Sequence, residues 1–287
     1  MTSQAGSEYD AVVAANIRLH TSMSDQYQTC EPHFRPENLE RVEQKFLAAI
    51  DGLDARRMLD LGCGTGFMID IAKRHVAEID GVDATAAMLA RVDRTGPAEI
   101  TLHEGDTGSV ELEPGSFDVA TAYSFLHHLY DIGPTLATAA RALREGGRFY
   151  ADLEPNAHFW HGIEELERAG GEYDPIVARE IRAVSHRDEE IEQEFGVSAE
   201  DFNRAEWGKS MQGGFTPEAL GEQLLACGFA SVEFFYEWFV GRGQIINDAS
   251  LTPAQRDANA AAIEDLLQRA LPLSRGMFKY LGFVATR

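Results

Sequence analysis

The chain has 287 residues, 44% of them hydrophobic, with 47 acidic side chains against 25 Lys and Arg and a formal net charge of −22. That is apolar material enough for one large domain, or for one domain plus a lid, and too much for a disordered chain. The acidic balance disfavours nucleic acid and anionic membranes as partners, and no apolar run reaches the length of a bilayer span.

The first sixteen residues, MTSQAGSEYDAVVAAN, lack a basic-then-apolar pattern and read as neither a secretory nor a transit segment. Cys30, Cys63 and Cys227 are odd in number and far apart, as expected of reduced thiols in a cytoplasmic protein. Residues 1–50 read as one or two helices, with NLERVEQKFLAAI (38–50) amphipathic. Before it lies the turn EPHFRPEN (31–38), with two prolines around His33, Phe34 and Arg35.

From residue 56 short apolar runs alternate with helical stretches. RRMLDL (56–61), AEIDGVD (77–83), AEITLHEGD (98–106), SFDVATAYS (116–124) and GGRFYADLEP (146–155) read as strands. FMIDIAKRH (67–75), TAAMLARVDR (85–94) and PTLATAARALRE (134–145) read as helices between them. Such alternation predicts an α/β fold with a mostly parallel sheet covered on both faces. Residues 156–214 are polar and helical in pattern, broken at Gly170–Gly171 and Gly213–Gly214. TPEALGEQLLACGF (216–229) predicts a helix capped by Thr216 with Pro217 in its first turn. SVEFFYEWFV (231–240) is a strand, LTPAQRDANAAAIEDLLQRAL (251–271) a capped helix, and GMFKYLGFVATR (276–287) a final strand.

The chemistry starts at the turn after the first strand. Its glycines run Gly62-x-Gly64-x-Gly66, preceded by Asp60. The dinucleotide pattern G-x-G-x-x-G aims a helix N-terminus at a pyrophosphate. A carboxylate beside a tighter turn instead repels phosphate and welcomes an ammonium. Asp83, at the end of the second strand, is placed to accept both hydroxyls of a ribose. Asp106, at the end of the third, is placed to accept from an adenine amino group. Together they suit adenosine joined to a charged amino acid.

Residues 58–155 resemble the class I S-adenosylmethionine-dependent methyltransferases of small-molecule type, through LDLGCGTG (59–66), GVDATAAML (81–89), EGD (104–106), FDVATAYSFLHHLYD (117–131) and LREGGRFYADLEP (143–155). The resemblance implies a Rossmann-like sheet of seven strands with the last antiparallel, and S-adenosyl-L-methionine as cofactor. It implies Asp60, Gly62 and Gly64 at the methionine moiety, Asp83 at the ribose, Ala84 and Met88 against the adenine, and Asp106 and Thr107 at its edge. Ala122, Tyr123 and His127 fall at positions that touch the cofactor, Tyr123 departing from the small polar residue usual there.

For the acceptor, His127 and His128 are the candidate catalytic bases. Tyr27, His33, Arg35, Glu154 and His158 are candidate substrate contacts. A metal at His158, His161, Glu164 and Glu165 is weighed and set aside, so no metal site is assigned. Tyr173, Phe195, Phe202, Trp207, Phe215 and Trp238 are candidates for an apolar pocket. The expected organisation is a helical cap over the cofactor (1–50), the cofactor-binding core (51–155), a helical lid insertion (156–214) and the C-terminal part of the sheet (215–287) with a helical excursion at 241–275. A closed lid favours a small-molecule acceptor and specialised metabolism, and the insertions suit a homodimer contact. Metal-assisted C-methylation of a 2-oxo acid and a non-catalytic cofactor-binding module are the alternatives.

Overall fold

The computed structural model describes residues 2–182 and 188–287; the side chain of Cys30 is outside that description. Seven strands form one sheet: β1 (Arg57–Leu61), β2 (Glu78–Asp83), β3 (Glu99–Glu104), β4 (Phe117–Tyr123), β5 (Leu143–Pro155), β6 (Ser231–Phe239) and β7 (Phe278–Thr286). Their order is β3-β2-β1-β4-β5-β7-β6. The first five pair in parallel, and β7 runs antiparallel to both neighbours, as the resemblance implied.

Central strands β1 and β4 are buried along almost their whole length, because helices cover both faces of a parallel sheet. One face packs Leu59, Leu61, Ala122 and Phe149 against helices Gly133–Ala142 and Pro217–Ala226. The other packs Met58, Ile79 and Tyr150 against helices Pro36–Ala49 and Phe67–Ala72. Thr216 caps its helix by accepting from the Ala219 N–H, and Thr252 forms a full capping box with Gln255.

Of the boundaries that differ from the sequence reading, two have a visible cause. The helix expected over 85–94 is a single turn, Ala86–Leu89. Just beyond it, the Asp93 carboxylate accepts from the Thr95 N–H and hydroxyl, a local turn that competes with helix continuation. The end of the helix expected over 134–145 is strand instead, since β5 starts at Leu143. There the Arg144 guanidinium donates to Asp118 on β4 at 2.6 Å.

The insertion after β5 folds as helices Ala157–Ala169, Pro175–Arg182, Asp188–Phe195 and Ala199–Ala205, followed by a π-helical turn Trp207–Met211. The N-terminal helix Thr2–Met23 packs across it, burying Ala15 and Leu19 against Ile191, Phe202 and Ala205. The excursion between β6 and β7 carries helices Arg242–Ile246 and Pro253–Arg269. Among the described residues no helix is long and apolar enough to cross a membrane.

Candidate active site

Strand order reverses between β1 and β4, and the carboxyl ends of the strands open a crevice there. A cavity of about 370 Å³ fills it. The glycine turn forms its floor. Gly62 has φ +72°, and a Cβ there would overlap the Phe125 ring. The Gly64 N–H donates to Asp83 Oδ2 at 2.9 Å, and the Thr85 N–H to Asp83 Oδ1 at 2.8 Å. Asp83 is thus fixed at the mouth of the turn while still lining the cavity.

Asp60 lies at the cavity's base, 1% exposed. Its Oδ1 accepts the Thr121 hydroxyl at 2.7 Å, and its Oδ2 has no partner. Burial, opposed by the Thr121 hydrogen bond and reinforced by Asp83, raises its carboxyl to about 7. A buried carboxylate oxygen without a donor calls for a cation. The ammonium of the methionine moiety is such a donor, so the residues present fit S-adenosylmethionine. Ala84, Met88, Asp106 and Thr107 line the same cavity. The Asp106 carboxylate accepts from the Gly108 N–H, and the Thr107 hydroxyl bonds that of Thr135.

A second cavity of about 510 Å³ lies alongside. The two share His20, Tyr27, His33, Tyr123, Ser124 and His128 as a wall. Tyr123 sits in that wall, its ring against Phe67 and His33 and its buried hydroxyl without a partner. Arg35 lines the second cavity only, as does Lys279, whose ammonium burial holds below its usual range. Of the aromatic candidates, Phe195, Phe202 and Trp238 line this cavity. Phe215 is core, Trp207 packs on Tyr130, and Tyr173 bonds the Leu166 carbonyl on the surface.

Four expectations need correction. Ala122 is core, because alternation along β4 turns it away from the cavity that Tyr123 faces. His127 lines the second cavity rather than the first. Glu154 lines neither. It is fully buried, accepts from the N–H groups of Phe125, Leu126 and His127, and takes the His127 Nδ1–H at 2.8 Å. His158 also lines neither, its Nε2 lying 3.9 Å from Glu218. His161, Glu164 and Glu165 point to solvent on the same helix.

The two histidines differ electrostatically. Burial pushes His127 down, but Glu154 and Glu206 outweigh it and raise the imidazole. Burial and the neighbouring His127 drive His128 down to about 3, with Nδ1–H donating to the Ala205 carbonyl at 2.7 Å. Burial pushes Glu206 up, yet Lys209, His127, His128 and His20 pull it down to about 2. The sequence reading missed His20, Glu206, Lys209 and Lys279. None sits in a recognisable motif, and only tertiary packing brings them together.

This crevice, with acids at three strand ends and a carboxylate under a glycine turn, has the shape and polar groups to fit an adenosyl cofactor. Residues 59–151 match the model of the methyltransferase domain family. A ubiquinone biosynthesis O-methyltransferase of Paracidovorax citrulli is 29% identical over 152 residues, which is 50% of this chain and 63% of that protein. An uncharacterized methyltransferase, YcgJ, of Bacillus subtilis is 31% identical over 108 residues, 34% of this chain and 43% of that one. The matched region thus spans about six tenths of the first relative and less than half of the second. An S-adenosylmethionine-dependent methyltransferase from Mesorhizobium loti shares the fold, with TM-score 0.52 at 22% identity, over 87% of this chain and 100% of that one. Residues 59–151 are thus similar to the methyltransferase domain family, and the chain shares the fold of an S-adenosylmethionine-dependent methyltransferase.

Proposed function

We propose that the chain transfers the methyl group of S-adenosylmethionine to a small molecule held in the second cavity. The shared wall carries this reading: a cofactor cavity and a second, larger cavity meet along one row of six side chains. Backbone strain supports it. The three non-glycine residues with left-handed φ among the described residues, Ser124 (+50°), Leu153 (+62°) and Trp238 (+56°), all line the second cavity. Each costs about 1–3 kcal/mol, and such strain persists where function requires it.

The bound cofactor supplies an activated methyl on a sulfonium, so the chemistry asks mainly for placement. Asp60 and Asp83 hold the amino acid and ribose ends, and the glycine turn lets the backbone approach. Tyr123 and His128 stand between donor and acceptor. His128 is too weakly basic to take a proton from an alcohol at neutral pH and serves as a hydrogen-bonding wall. In this reading residues 1–50 cap the cofactor and residues 156–214 form the lid, since Asn16 of the N-terminal helix donates to the His128 carbonyl at 2.8 Å and Glu206 lines the second cavity. Arg35 and Lys279 form no salt bridge among the described residues, which favours an acceptor with an acidic group.

Mass spectrometry of the chain with S-adenosylmethionine and a panel of hydroxylated, amino and 2-oxo acids tests the proposal. A product one methylene heavier, lost in Asp83→Ala, is expected. Cofactor binding with no product from any member of the panel would overturn the choice of acceptor class.

A further inference from the structure

His127, His128 and Glu206 meet beside the shared wall. One nitrogen of each ring and one oxygen of Glu206 lie within 4.8 Å of one another. Among the described residues this is the single group of three or more His, Cys, Asp or Glu side chains so arranged. The carboxylate is 3.9 Å from His127 Nε2 and 3.6 Å from His128 Nδ1.

The surroundings are those of a ligating set. With its Nδ1–H engaged by Glu154, His127 offers Nε2 as the coordinating nitrogen once an ion displaces the proton there. Glu154 is in turn fixed by three backbone N–H groups. Carboxylate–histidine pairs of this kind orient the imidazoles of metal sites. His128 can coordinate through Nε2 with its Ala205 bond intact, or through Nδ1 in exchange for it. All three side chains line the second cavity.

We propose that His127, His128 and Glu206 bind a divalent first-row transition-metal ion. Two imidazoles and one carboxylate suit zinc, iron, cobalt or nickel better than calcium or magnesium. Three protein ligands leave positions open, and these face the cavity, where an oxygen donor of a small molecule fits. Lys209 is the rival. Its ammonium lies 3.7 Å from Glu206 Oε2 and over the Trp160 ring, and supplies the counter-charge when no ion is bound. The ion can be tested apart from methyl transfer, because its uptake is read with neither cofactor nor acceptor present.

The experiment is titration of the chelator-stripped full chain with Co²⁺, followed by ligand-field absorption and elemental analysis. One ion per chain is expected. His128→Ala and Glu206→Gln should weaken uptake by more than the roughly ten- to hundredfold that loss of an outer-shell partner costs, while His161→Ala on the exposed helix face should not change it. Lys209→Met keeps every ligand and removes the competing charge, so it should bind more tightly; it decides the matter if the ligand variants do not fold. No stoichiometric uptake by the parent chain, uptake unchanged in both ligand variants, or Lys209→Met binding no more tightly would each overturn the assignment.

Discussion

The two cavities share six side chains but are built in opposite ways. The cofactor cavity is floored by consecutive strand-and-turn units: β1 with its glycine turn, β2 ending at Asp83, and β3 running into Asp106. The second cavity gathers single residues from the N-terminal helix, the turn after β4, the π-helical turn, and the far ends of β5, β6 and β7. The first depends on local backbone geometry. The second depends on the packing of elements distant in sequence. Damage to the first should therefore appear in cofactor affinity, and damage to the second in acceptor kinetics.

The largest effect should come from Asp83→Ala. It removes a charged acceptor of two backbone N–H groups as well as the proposed ribose partner. Hydrogen bonds to charged groups contribute about 1.5–3 kcal/mol each, so cofactor affinity should fall about a hundredfold or more in calorimetry. Gly62→Ala should cost about 2–4 kcal/mol in chemical denaturation, from overpacking on Phe125 and the left-handed backbone. Lys279→Met should leave cofactor affinity within about twofold and raise KM for acidic acceptors about tenfold. An equal loss of cofactor affinity in Lys279→Met would erase the distinction between the cavities.

A pH experiment sharpens the same contrast. In its proposed role the Asp60 carboxyl, raised to about 7, must be ionised to receive the cofactor's ammonium. Cofactor affinity should therefore fall as pH drops below about 7, by at most tenfold per unit, and Asp60→Asn should flatten that slope. Stability runs the other way. A carboxyl raised above its unfolded value of 3.8 binds its proton more tightly when folded, so its contribution is full below about 4 and lost as pH rises through about 7. The smallest effect is at the periphery: Thr252→Ala, which breaks a capping box on a helix that lines neither cavity, should cost about 1 kcal/mol in stability.

This difference in construction also explains what the sequence disclosed. The strand rhythm, the three glycines and the acids at strand ends follow from local propensity and spacing, so the sheet and much of the lining of the first cavity were readable one motif at a time. Ala122 was misplaced because a motif position does not say which face of the strand a side chain takes. His158 looked suggestive beside His161, but both lie on a helix whose buried stripe is Phe159, Trp160 and Ile163. Glu206 and Lys279 left no trace in the sequence pattern; their importance comes from what folds against them. Glu154 was noticed as an acid at a strand end, yet its carboxylate is wholly engaged by the turn after β4.

That engagement has a dynamic consequence. One carboxylate collects three successive amides, and the turn they belong to borders both cavities. In hydrogen-exchange terms, the amide protons of Phe125, Leu126 and His127 should be protected together and released together, as one small cooperative unit. The junction between the two cavities should then open as a single latch, its opening free energy readable from three neighbouring protons that exchange at a common rate of unlatching.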